Sequence, residues 1–252
     1  MPRRASSLAF QARQQLGVSP QMPIPDLFKV IQLSGIGVIR YTFKFSGRTS
    51  ALLCRHREDF FVVLDSSRTL GHQRFSAAHE LGHYMAHRDR LYFSCDPSEP
   101  PGNGDSAIER FADQFAIEFL MPKLAVDWWL ENHALSPQAP SLHDVLRLEQ
   151  AFGVSHKATL FQLKTFSVIS ARQFEDWTEK SPVQLAKRWG LPTDLYEPDQ
   201  ALQVPDEYSA FWVDAYELGR VTYQKLTAAL LRIGMQAETL DLKHPTKVGD
   251  VI

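Results

Sequence analysis

The feature that most limits what this chain can become is the pentapeptide His79-Glu80-Leu81-Gly82-His83, set within AAHELGHYMAH (77–87). Residues four apart on a helix differ by about 40° in azimuth and about 6 Å in rise, so two imidazoles can converge on one ion. Glu80 then points beside that ion, where a carboxylate can take a proton from metal-bound water. His87 lies eight residues beyond His79. That separation is about 12 Å along the axis, too far for ~2.1 Å Zn–N bonds to bridge, so His87 reads as a helix-end or packing histidine. The spacing predicts a helix over 73–87.

HExxH also arises by chance in ordinary helices, so it needs a third donor to mean metal. A second predicted helix, SAIERFADQFAIEFL (106–120), offers one. Ile108, Phe111, Ala112, Phe115, Phe119 and Leu120 form its buried stripe, with Glu109 and Asp113 on one flank and Glu118 on the other. Glu109 suits the third protein ligand of a catalytic zinc, which keeps a fourth position open. Asp113 suits an acceptor for a ligand histidine's second N–H. Ser106 to Glu109 also fits a capping box, which would occupy the same carboxylate locally.

Three β-like runs precede the motif: VIRYTF (38–43), SALLCR (50–55) and DFFVVLD (59–65). With turn-rich segments between them they predict a small antiparallel sheet, and the class is α+β. Leu8, Ala9, Ala12 and Leu16 make a helical stripe at the start of the chain. The organisation expected is a core over 1–130, a helix-turn-helix-like extension over 131–170 with Ser155 as N-cap, and a helical C-terminal region over 171–252. That last region holds a second helix pair (206–233) with Thr222 as N-cap.

Lys+Arg 27 against Asp+Glu 29 leaves no charge excess that would demand nucleic acid or an anionic membrane. The helix after Ser155, HKATLFQLKTF, is too apolar for reading base edges, which argues against direct nucleic-acid binding. No apolar run reaches the ~18–20 residues of a membrane span. The Arg-containing N-terminus faintly resembles a transit peptide but lacks an apolar signal region. Two cysteines are too few for a disulfide framework, so a reducing, cytoplasmic setting is expected.

RFSAAHELGHYMAH followed by ERFADQFAIEFLMP resembles the ImmA/IrrE family of metallopeptidases. The resemblance implies that His79, His83 and Glu109 bind Zn2+ (Mn2+ being the alternative in cells), that Glu80 is the general base, and that the core is gluzincin-like. It further implies cleavage of a specific regulatory protein, a helix-turn-helix repressor often encoded nearby, in a phage, DNA-damage or stress response. Two other readings stand beside it: a non-proteolytic, antitoxin-like regulator that binds a repressor through the same fold, and a DNA-binding transcriptional regulator. Cys95, between the two motif helices, is either a packed free thiol or an inhibitory fourth zinc ligand, as in relatives held by a cysteine switch. The DFFVVLD strand is the expected edge for a substrate peptide added as a strand. Tyr84, Tyr92 and His72 are the candidates for stabilising an oxyanion.

Overall fold

Proline and serine punctuation sets where the chain turns, and apolar spacing sets what it buries. The structure, a computed structural model, describes residues 2–43, 49–56, 59–88, 93–94, 106–134, 136, 138–200, 202–204 and 207–242. It begins with helices α1 (Pro2–Gln15) and α2 (Leu27–Leu33), then strands β1 (Ile36–Tyr41), β2 (Ala51–His56) and β3 (Asp59–Asp65). Helix α3 (Leu70–His87), strand β4 (Phe93–Ser94) and helix α4 (Ser106–Leu120) follow. Helices α5 (Lys123–His133), α6 (Leu142–Phe152), α7 (His156–Thr165), α8 (Ala171–Thr178) and α9 (Pro182–Trp189) and a 3-10 turn (Asp194–Tyr196) complete a first unit, residues 1–200. Cys95 and Tyr92 lie outside the described residues.

The strand order is β1-β3-β2-β4, with β2 antiparallel to β3 but β1 parallel to it. The wholly antiparallel sheet expected from the sequence is therefore corrected to a mixed one. The reason is strand order: the connection of residues 42–50 is too short for a parallel crossover, so β2 runs opposite to β1, and β3 lies between the two rather than outside β2. Strand β2 therefore enters at the end where β1 left, and the tight β2–β3 hairpin turns β3 back alongside β1. As a result β3 is paired on both sides, so DFFVVLD has no free edge for a substrate strand. Val38, Val62 and Leu53 form one buried cross-strand row.

Helix α3 crosses the sheet and packs most closely on α4. It starts at Leu70, earlier than the predicted position, because Thr69 caps it, its hydroxyl accepting from the His72 amide. A Cβ at Gly82 would lie 2.9 Å from a ring carbon of Phe115 on α4, a fully buried side chain stacked on Phe119. Glycine is thus what lets the two backbones approach. On another face of α3 the buried Arg74 guanidinium donates to the carbonyls of Ile24, Pro25 and Gly153. That ties the entry to α2 and the α6–α7 turn to the same helix. The 3-10 segment docks at the start of α3, where the Leu70 amide donates to Glu197 and Arg40 pairs with Asp199.

Residues 171–200, which the sequence groups with the C-terminal region, lie in the first unit, where Trp177 joins its core. In α7 the residues His156, Thr159, Leu160, Gln162 and Leu163 are buried, so this helix gives its apolar face to the interior. Ser155 holds the N-cap position without a side-chain capping bond. The second unit, residues 201–252, contains α10 (Glu207–Glu217) and α11 (Tyr223–Leu231), with Thr222 capping α11 and Leu226, Leu230 and Ala237 at its centre. Among the described residues no helix is long and apolar enough to cross a membrane.

A polar node stabilises the first unit. Buried Glu149 accepts from His156 Nδ1 at 2.6 Å and from the Tyr196 hydroxyl at 2.8 Å, and His156 Nε2 donates to the Trp177 carbonyl. With an acceptor on each ring nitrogen, His156 is held as imidazolium. Burial raises the Glu149 carboxyl despite these donors; burial opposes the His156 charge, but the Glu149 bond and charge outweigh it and raise the imidazole. Since both values rise, the folded chain holds more protons than the unfolded one. Stability referable to this pair falls as pH rises from the ordinary glutamate value of 4.5 to beyond the ordinary histidine value of 6.5. His156→Ala, which strands a buried carboxylate, should cost about 3 kcal/mol in urea denaturation at neutral pH.

Candidate metal centre

Two adjacent helical turns of α3 present His79 and His83 to α4, and α4 answers with Glu109 and, one turn on, Asp113. His79 Nε2 lies 2.9 Å from His83 Nε2 and 3.2 Å from Glu109 Oε2, while His83 Nε2 lies 3.6 Å from Glu109 Oε1. The donor atoms of these three residues all fall within 4.8 Å of one another. A tetrahedral ion with ~2.1 Å bonds holds its ligand atoms about 3.4 Å apart, so the spacing fits such an ion.

The protons support the same fit. Asp113 Oδ1 is 2.9 Å from His79 Nδ1 and, as a carboxylate, can only accept, so the proton sits on Nδ1. Nε2 of His79 is left with its lone pair facing two further lone-pair donors. Such a set is repulsive unless protons or a cation lie among its members. Burial opposes charge on His79, but the Asp113 hydrogen bond and the carboxylates of Glu80, Asp113 and Glu109 raise its imidazole above the ordinary value. Burial, with the neighbouring charges of His79 and His87, pushes His83 down to about 4. A neutral, lone-pair-bearing His83 is the form a metal requires.

Glu80 is buried, at 8 % exposure. Burial raises its carboxyl to about 7; the His79 charge and the Leu53 backbone hydrogen bond oppose this, and the Glu109 charge adds to it. On the far side, the Glu109 and Asp113 side chains are 46 % and 59 % exposed, so solvent reaches the group from α4.

The other sequence candidates fall elsewhere. His87 is outside the ligand group and sets its ring edge against Phe111 at 5.2 Å. Glu118 accepts from Gln114. Tyr84 packs against Phe60 at 5.1 Å, and His72 stands two helical turns before His79 on α3. Motif reading overlooks the part of Leu53, because that part is played by a backbone group. It also overlooks Gly82, whose role depends on a partner residue 33 positions downstream.

Asp113→Ala should weaken metal binding roughly 10–100-fold, read by competition against a chromophoric chelator, because His79 loses the group that fixes its tautomer. Glu118→Ala should leave the affinity unchanged.

Comparison with known families finds that the peptidase M78 model, described as the IrrE N-terminal-like domain, matches residues 39–164, a span that holds α3 and α4 together with β2 and β3. No curated protein matches the chain as a relative.

Proposed function

The chain belongs to the M78 peptidase family, and on that premise we propose that it is a zinc-dependent endopeptidase cutting a specific regulatory protein. The observation that carries the reading is the convergence of His79, His83 and Glu109 with the buried carboxyl of Glu80 on the neighbouring turn.

In this reading His79, His83 and Glu109 hold the ion and Asp113 orients His79. Two nitrogens and one carboxylate oxygen form the donor set expected of a catalytic zinc site with an open position. Bound zinc would bring the pKa of a coordinated water toward 7 and polarise a scissile carbonyl. Glu80 takes the proton that the attacking water loses and returns it to the leaving amine. Without the ion, burial holds this carboxyl at about 7, and a bound dication would lower it toward the carboxylate that accepts the proton. The low-dielectric surroundings that raise it also keep bulk water from competing for that proton.

A substrate segment has one well-placed strand edge. Among the described residues β4 pairs with β2 only at Cys54 and Arg55, and Leu53 gives its backbone hydrogen bond to Glu80, so we place the substrate strand along the outer edge of β2 ahead of Leu53. A peptide laid there would gain main-chain hydrogen bonds beside the proposed base. The substrate class we propose is a helix-turn-helix repressor encoded near this chain's gene. Cys95, in its proposed role as inhibitory ligand, lies outside the described residues.

The test is co-incubation of the zinc-loaded chain with that repressor, comparing wild type with Glu80→Gln. The variant should keep its zinc by elemental analysis and lose about 10²–10⁴-fold in cleavage rate. A metal-retaining Glu80→Gln protein that cuts at the wild-type rate would defeat the mechanism.

A further inference from the structure

Asp113, which holds His79, is also part of the wall of a cavity of about 650 Å³. Its apolar lining includes Phe75 of α3, Phe111 of α4, Phe161 of α7 and Phe174 of α8. The volume lies in the range of sites for small organic ligands. Phe161, part of that apolar lining, is 56 % exposed.

Two features narrow the occupant. The first is charge. Arg110 and Lys157 both line the cavity and are exposed, and neither forms an ion pair with an acid among the described residues. The acid in the wall, Asp113, is engaged by His79. The second is the source of the lining. Among the described residues every wall residue belongs to a helix or, in Ser155, caps one, and none comes from the sheet. Apart from first-turn amides at Ala107, Lys157 and Ala158, the backbone groups of these wall residues are bonded within their own helices, so the wall offers no alternating row of main-chain donors and acceptors to an extended peptide. A ligand with an apolar body and all its polarity at one anionic end meets both conditions.

We infer that this cavity binds a small amphipathic carboxylate, its apolar body among the phenylalanines and its head group met by Arg110 and Lys157. The inference goes beyond peptide cleavage and is independent of it, because occupancy is read without turnover. By placing a ligand against Asp113, the cavity sets a small molecule one side chain away from the metal group.

Isothermal titration of the metal-loaded full chain with decanoate, below its micelle concentration, tests this. One saturable site is expected, with decanol of equal chain length binding roughly tenfold or more weakly. Arg110→Ala combined with Lys157→Ala should remove that preference while leaving decanol binding in place; both positions are exposed, so this variant tests the inference even if a core substitution fails to fold. Ala158→Trp, which fills the cavity, should abolish binding of both. Equal affinity for decanoate and decanol, a preference for decyltrimethylammonium, or unchanged decanoate binding in folded Ala158→Trp would each overturn the assignment. Saturable binding of acetyl-Phe-Asp-amide without binding of decanoate would overturn it in favour of a peptide subsite.

Discussion

Helices α3 and α4 meet at Gly82 with no side chain between the α3 backbone and the Phe115 ring, and the chemistry of the molecule depends on that contact. Glu109 reaches within 3.2 Å of His79 and 3.6 Å of His83, distances set by how closely the two helices approach. Adding even one methyl group at Gly82 would press on a ring that has nowhere to go, because Phe115 is itself wedged against Phe119 in the core. The third donor would then move away from the other two. Stability and function are coupled here through a hydrogen atom in place of a side chain.

Around that contact the charges are arranged by burial. Glu80 and His83 are nearly closed off from solvent, whereas Glu109 and Asp113 stay partly wet. Burial favours the neutral form of each enclosed group, which moves the Glu80 carboxyl up and the His83 imidazole down. The same helix that holds the histidines also carries Arg74, which pins the α6–α7 turn, so the C-terminal helices of the first unit are registered to the metal group through α3.

Much of the site was legible before any coordinates. HELGH and ERFAD name the three residues that come together, His79, His83 and Glu109, because helix geometry converts spacing into direction, and the matched family agrees with the resemblance those motifs carry. The exclusion of His87 from the ligand group follows from rise per residue alone. The parallel β1–β3 pair was not legible, since strand propensity is blind to partner direction. The placement of DFFVVLD at the centre of the sheet rather than its edge was missed for the same reason. The cavity was invisible too: its wall is drawn from helices far apart in sequence, each contributing a few residues whose apolar character signals only burial.

The sequence by itself determined the donor types, the helical phase that puts two imidazoles on one face, and the place of Glu80 beside them, all of them local consequences of 3.6 residues per turn. Only the tertiary structure decided that Glu109 stands 3.2 Å from His79 and 3.6 Å from His83, that Glu80 is buried, and that an apolar hollow shares a wall residue with this candidate metal group. Those outcomes depend on the approach distance between helices and on the exclusion of water, and neither quantity is set by spacing along one chain segment.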